Sequence, residues 1–261
     1  MKQKILFAAC LFAASMGTPA FGATNDDPIV TKEYKLSDFT GLLIDHAVNI
    51  EYTQGSSYTV KAEGTAEQIG KLIVEVEGDV LKITHVKDKK NNGEKHPVKF
   101  FISSPKMESI TNNGVLHFEA NQLKADDFKL NSKGVSNFNI KNMKLRDAVF
   151  EHSGVINFDM EIDAKSLTLQ DKGVTNGEIK ISADLLDIHS SGVNNLSFNF
   201  KGKEVKVSKS GTGTIELTVD CERLEASNSG VGKLAISGTA DDTKINNSGV
   251  TKIDVSKLNK F

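Results

Sequence analysis

The chain has no tryptophan, four prolines, two cysteines and three tyrosines in 261 residues, and each shortage excludes something. Tyr34, Tyr52 and Tyr58 all precede residue 60. The rest of the chain therefore lacks the aromatic platforms on which enzymes working along a sugar chain stack their substrate. Arginine occurs only at Arg146 and Arg223, too sparsely for the guanidinium forks that grip an anionic sugar. No proline follows Pro105, so every later residue can donate its backbone N–H to a neighbouring strand. A formal net charge of −2 argues against the basic field of a nucleic-acid binder. No G-x-S-x-G, H-E-x-x-H, P-loop or paired-cysteine motif is present, which removes the commonest hydrolase, zinc-protease and nucleotide sites.

The start of the chain reads as a secretory signal peptide over residues 1–23. Lys2 and Lys4 form its charged part, Ile5 to Met16 its apolar core, and Ala20-Phe21-Gly22-Ala23 the small-residue cleavage region. The apolar run is shorter than the roughly 20 residues of a membrane span, and no second such run follows. Cys10 lies too early in the run to carry a lipid after cleavage. That leaves Cys221 alone, without an intramolecular disulfide partner, and it reads as a small buried residue. The expected product is exported, to the periplasm or the cell surface.

What is abundant is repetition. Glycine followed by valine returns at Gly114-Val115, Gly134-Val135, Gly154-Val155, Gly173-Val174, Gly192-Val193, Gly230-Val231 and Gly249-Val250, with Gly211-Thr212 filling the gap on schedule. The spacing is 20, 20 and then 19 residues five times. Four residues after each glycine stand Phe118, Phe138, Phe158, Gly177, Leu196, Ile215, Leu234 and Ile253; two further on stand Ala120, Ile140, Met160, Ile179, Phe198, Leu217, Ile236 and Val255. Later columns hold Phe128, Ala148, Leu167, Leu186, Val205 and Leu224, then Leu130, Phe150, Leu169, Ile188, Val207, Ala226 and Ile245. Apolar residues two apart, with polar ones between, follow the strand period. A lone unit cannot bury such a face, so units must stack.

The fold expected is all-β: a right-handed parallel β-helix of 19–20-residue rungs over residues 111–261, preceded by a β-rich segment over 24–110 that caps the solenoid. Eight rungs at about 4.8 Å make a rod of about 40 Å. Val155, Phe158 and Met160 are expected inside. The glycine, preceded by pairs such as Asn112-Asn113, His152-Ser153 and Asn228-Ser229, is read as the positive-φ residue of a tight turn. In the first segment, strands are expected at 42–44, 48–52, 58–61, 72–76, 80–84 and 98–102, with a helical turn near 66–72 and a hairpin at Gly78-Asp79. Lys87 to Lys95 reads as a solvated loop.

The spacing of Phe39, Ile44, Val48, Ile50, Val60, Ile73, Val76, Leu81 and Ile83, followed by repeated Ser/Asn-Gly-Val turns, resembles the head domain of the putative auto-transporter adhesins, the GIN domain, over roughly residues 38–245. The resemblance implies an exported β-helical protein of Bacteroides-type, Gram-negative bacteria with an adhesion role, and it brings no catalytic residues and no cofactor.

Two outward columns are the candidate binding stripe. Asn137, Asn157, Asn176 and Asn195 stand three residues after the glycine, preceded by His117 and followed by Thr214, Lys233 and Lys252. In register their amides could hydrogen-bond up the ladder or meet sugar hydroxyls. Two residues on stand Glu119, Asp159, Glu178, Glu216 and Asp254. Carboxylates about 5 to 9.5 Å apart can hydrolyse glycosides, but neighbouring rungs of any solenoid meet that spacing cheaply. His152 and His189 fall in different columns and do not suggest a shared metal. The reading is a non-catalytic binding or adhesion module for a protein or glycan partner, with no cofactor and no nucleic acid. The competing reading is a polysaccharide lyase or glycoside hydrolase.

Overall fold

The computed structural model describes residues 27–86, 97–250 and 252–260. The proposed signal peptide and the run from Lys87 to Lys95 lie outside the described residues. In chain order the elements are β1 (Ile29–Tyr34), β2 (Gly41–Ile44), β3 (Ala47–Gln54), β4 (Thr59–Thr65), α1 (Ala66–Gly70), β5 (Leu72–Glu77), β6 (Val80–His85), β7 (Val98–Ser104), β8 (Ser109–Asn112), β9 (Val115–Ala120), β10 (Leu123–Ser132), β11 (Val135–His152), β12 (Val155–Asp171), β13 (Val174–Ser190), β14 (Val193–Lys209), β15 (Thr212–Asn228), β16 (Lys233–Asn247) and β17 (Asp254–Lys260). Among the described residues, all 17 strands belong to one continuously paired sheet that coils into a β-solenoid of about 8 turns.

From β10 onward each strand pairs in parallel with its successor, one rung above the next. Residues offset by one repeat become direct neighbours: Phe138 lies beside Phe158, and Ile188 beside Val207. The change from 20 to 19 residues has a physical location. Ile140 pairs with Met160, but Met143 pairs with Ile162, so a bulge at 141–142 absorbs the extra residue.

The interior columns fall where the alternation puts them. Phe118, Phe138, Phe158, Leu196, Ile215 and Leu234 are buried, as are Ile140, Met160, Ile179, Phe198, Leu217 and Ile236. The columns headed by Phe128 and Leu130 are buried as far as Leu224 and Ala226. Aromatic rings stack along the axis, Phe138 on Phe158 with centroids 6.3 Å apart, a favourable offset arrangement. Each long strand turns a corner where parity slips by one residue. Ala164 and Leu167 both point inward, and the pairing skips Lys165. The corner column is small (Ala164, Ala183, Cys221 and Ala240 are buried), and burial pushes the Cys221 thiol pKa up to about 11, which keeps it a neutral packing residue.

Strands form at the expected places in the first segment, and they extend the stack. β2 and β3 pair in parallel with β8 and β9, while β6 and β7 pair with the other edges of β2 and β3. Two further rungs thus precede the first glycine, in the spatial order β6–β7, β2–β3, β8–β9. Antiparallel strands cover their outer edges: β5 on β6, and β4 with β1 on β7. The β5–β6 hairpin turns at Gly78, whose φ is 65°, as a tight turn requires. α1 is held by a capping box in which the Thr65 hydroxyl accepts from the Gln68 N–H and the Gln68 side chain accepts from the Thr65 N–H.

Two expectations need correction. Val155 is not inside: it is 39% exposed, while Phe158 and Met160 are buried. The whole valine column points outward, because it stands an odd number of residues from the buried columns and a strand alternates faces strictly. Nor do the repeat glycines adopt positive φ; among the described residues the positive-φ glycines are Gly78, Gly177, Gly213, Gly232 and Gly238. The column is glycine because backbones stack too closely for a side chain. A Cβ on Gly134, Gly154, Gly192 or Gly211 would lie 1.9–2.0 Å from the preceding repeat glycine's carbonyl oxygen.

Candidate functional site

Each repeat glycine gives up its side chain to let the corner close, and its carbonyl accepts the next rung's N–H. Val155 N–H donates to Gly134 O at 3.0 Å, Val174 to Gly154 O at 2.9 Å and Val193 to Gly173 O at 2.8 Å. This bond fixes where every outward strand begins. It sets the valines one above another while leaving a furrow over the bare glycines. The furrow is an open groove of about 700 Å³ along four rungs, lined on one lip by Ser153, Lys172, Ser191 and Ser210 and on the other by Val155, Val174 and Val193. A second groove of about 360 Å³ lies near β3, lined by Ala47, Val115 and Val135 together with Asn49, His117 and Asn137. The valines at 115, 135, 155, 174, 193, 231 and 250 are 39% to 84% exposed. Sequence reasoning missed this apolar ladder although parity alone could have found it.

The amide column lies beside the valines on the same face. Asn137, Asn157, Asn176 and Asn195 are direct neighbours on four successive rungs, Asn176 half-buried and the others exposed. Among the described residues one amide-to-amide bond joins them, Asn176 Nδ2 donating to Asn157 Oδ1 at 3.2 Å. The remaining amide donors and acceptors face outward. One column further, Glu119, Asp159, Glu178 and Glu216 are exposed. Asp159 and Glu178 are paired neighbours, whereas Asn139 separates Glu119 from Asp159 and Ser197 separates Glu178 from Glu216. His117 Nε2 lies 2.9 Å from Glu119, and Lys233 Nζ 3.8 Å from Glu216. The face therefore presents three parallel stripes: apolar, amide and acidic.

Beneath the groove runs a buried polar column that the sequence did not disclose. Asn112, Ser132, His152, Asp171, Ser190, Lys209 and Asn228 stack in it, all buried. Three of them hold the glycine corner from below: Asn112, Asp171 and Asn228 each accept, through Oδ1, the N–H of the glycine two residues on, at 3.0, 3.1 and 3.3 Å. His152 Nε2 donates to Asp171 Oδ1 at 2.8 Å, and Thr175 Oγ1 contacts the same ring nitrogen. Asp171 also accepts from Ser190 Oγ at 3.1 Å and from Asn194 Nδ2. A threonine, histidine and aspartate meet here without forming a proton relay, which needs the nucleophile and the acid on different ring nitrogens. His152 Nδ1 has no partner among the described residues.

Lys209 is the column's odd member. Its Nζ donates to Gly211 O at 2.9 Å and Val231 O at 3.3 Å, and it has no carboxylate partner among the described residues. Burial pulls its pKa below the usual lysine value. Asn112 makes the equivalent pair of bonds with a neutral amide, Nδ2 to Gly114 O and Val135 O. Lys209→Asn is therefore expected to stabilise the fold by about 1 kcal/mol at neutral pH, since a buried charge is replaced by a neutral donor. With the folded-state pKa depressed, stability also rises as pH climbs through that value toward the unfolded pKa of roughly 10.4. Urea titrations across alkaline pH should show that contribution disappear in the variant.

Residues 38–197 and 157–260 match the family model described as the putative auto-transporter adhesin, head GIN domain. The chain belongs to that family. A solved structure of a putative adhesin from Bacteroides fragilis shares the fold at a TM-score of 0.62, with 21% identity, covering 90% of this chain and 100% of the other. A putative lipid binding protein from Parabacteroides distasonis aligns at a TM-score of 0.59, with 20% identity over 88% of this chain and 97% of that one. No curated protein matches. Among the described residues, no helix of this GIN-domain chain is long and apolar enough to cross a membrane.

Proposed function

We propose that the chain is an exported, non-catalytic binding module of the adhesion type, and that its outward valine, asparagine and acidic columns contact a protein or glycan partner at the cell surface or in the periplasm. The exposed valine ladder carries the reading. Single apolar residues on a surface are ordinary, but a contiguous run of them rimmed by polar columns is the signature of a contact surface. Beside it the asparagines offer donors and acceptors at the rung spacing, a pattern suited to peptide groups or sugar hydroxyls. The family's description as adhesins, shared by the protein from Bacteroides fragilis, supports the same class. Export is supported by the reading of residues 1–23 as a signal peptide.

The carboxylate pair Asp159 and Glu178 stands on the open strand face rather than within a cleft that would exclude water, so the glycosidase reading gains no support from its surroundings. Protease shaving of intact cells separates surface display from a periplasmic life. A glycan and matrix-protein screen with the purified chain then tests the module directly. Retention should fall about tenfold in an Asn157→Ala, Asn176→Ala double variant, two hydrogen bonds of roughly 0.7 kcal/mol each being lost. Specific retention of neither class of ligand would sink the adhesion reading.

A further inference from the structure

We infer that the valine ladder is a self-association surface on which a second copy of this chain packs, face to face and with the two rods parallel. The inference rests on the reading of this face as a contact surface and names the protein partner that fits it. Three observations lead there.

The first is period. The ladder offers one apolar side chain per rung, about every 4.8 Å along the rod. An extended peptide laid along the rod repeats same-facing side chains at about 6.7 Å and drifts out of step within a few rungs. A second stacked sheet with the same ladder stays in step throughout, with opposing faces about 10 Å apart and valines interdigitating.

The second is size. From Val115 to Val250 the ladder runs over eight rung positions, roughly 34 Å, and the outward columns from the Lys172 lip to the acidic stripe span roughly 20 Å. The face thus offers about 700 Å², close to the roughly 800 Å² that each partner gives to a stable interface.

The third is charge, which sets the direction. A two-fold axis across the rod would lay the acidic column of one copy on that of the other, Asp159 against Glu216 and Glu119 against Asp254, and like charges face to face are costly. An axis along the rod instead reverses the strand direction. Valine then meets valine, and the lysines of the groove lip, Lys133 and Lys172, which lie on the opposite side of the valines from the acids, approach the second copy's amide and acidic columns. The long lysine stem spans the remaining column. Thr212, the one non-valine of the ladder, is small enough to pack in the same row.

The test uses the purified exported chain. Sedimentation equilibrium should show the average mass rising toward twice the chain mass with concentration. Val155→Lys with Val193→Lys should abolish that rise. Both side chains point to solvent, so an unchanged thermal midpoint confirms that the variant is folded. Direction is read by cross-linking with a short bismaleimide in a Cys221→Ala background, a change that matches Ala183 and Ala240 elsewhere in that column. Val135→Cys should cross-link to itself, and so should Val231→Cys, because like rungs face each other. A monomer at every concentration overturns the inference. So does undiminished association of the double lysine variant, or cross-linking of Val135→Cys only when mixed with Val231→Cys. Protection of Val174→Cys from maleimide by a glycan or by phospholipid vesicles, in a chain that stays monomeric, would assign the groove to that occupant instead. If self-association fails while a glycan or matrix protein is still retained, this inference alone falls. If dimers form and nothing is retained, the adhesion reading falls and the dimer stands.

Discussion

Gly173→Ala is expected to be among the most damaging single substitutions in the chain, costing about 3 kcal/mol or more, although it adds one methyl group at a half-exposed corner. The added Cβ would lie 2.0 Å from Gly154 O, 2.8 Å from Ser153 C and 3.0 Å from Gly154 C. None of these is the end of a flexible side chain that could swing away. To make room the rung must lift, which lengthens the 2.9 Å bond from Val174 N–H to Gly154 O. The 3.1 Å bond from Gly173 N–H to Asp171 is strained as well. Overpacking a filled interior typically costs 1–3 kcal/mol, and a backbone obstacle that breaks ladder bonds belongs at or above the top of that range. Gly70→Ala is the internal control. Nothing lies within 4 Å of a Cβ there, the residue ends α1, and alanine should stabilise by roughly 0.5–1 kcal/mol through helix propensity and a less free unfolded chain. Urea midpoints of the two variants should move in opposite directions. Equal, small shifts would show that the rungs can separate at little cost and that the glycine column has another cause.

That contrast marks the boundary of what residue types alone disclose. The interior columns were legible because a 19-residue repeat superimposed on a two-residue alternation leaves almost no freedom: once Phe158 is inside, Met160 and the residues one repeat away follow. The Asn and acidic columns were legible for the same reason, since equal offsets from the glycine become direct neighbours. The reason for the glycine itself was not. A glycine after Asn or Ser suggests a turn with positive φ, and only the stacking of one corner on the next reveals that the space for a Cβ is occupied by a carbonyl. Val155 was misplaced by hydrophobicity against parity, which is the trade a solenoid makes when an apolar residue stands on its outer face. The two rungs built by β2–β3 and β6–β7 left no periodic trace, because the chain visits them out of spatial order and His46 stands where a glycine would mark the corner; Gly114 stacks directly on its carbonyl. The buried polar column hid behind the turn propensity of its own residues.

Within that column, Asp171→Ala is expected to cost about 3 kcal/mol or more, since it removes the acceptor that several buried donors share. The carboxylate does four things at once: it accepts from Gly173 N–H to hold the corner, from His152, from Ser190 and from Asn194. Truncation would leave the Gly173 N–H and Asn194 Nδ2 without their acceptor, while Ser190 Oγ keeps Asn194 Oδ1 and His152 Nε2 keeps Thr175 Oγ1. Asp171→Asn keeps an oxygen for the glycine N–H, as Asn228 does for Gly230, and should cost about 1–2 kcal/mol. The ordering Ala worse than Asn separates loss of the corner bond from loss of charge. The pH dependence follows from the carboxyl's environment. Burial alone would raise its pKa, but the His152 contact and charge, Thr175 and the Gly173 N–H outweigh it, and the folded-state value lies below the usual aspartate one. A depressed folded pKa gives stability that is fully present above the unfolded value of roughly 3.9 and is lost as pH falls through the folded one. The acid limb of the stability curve below about pH 4 should therefore be steeper in the parent chain than in Asp171→Asn, with the two curves converging as acid protonates the parent's carboxyl. Parallel acid limbs would mean that Asp171 does not titrate in this window and that its charge has no part in holding the groove's floor.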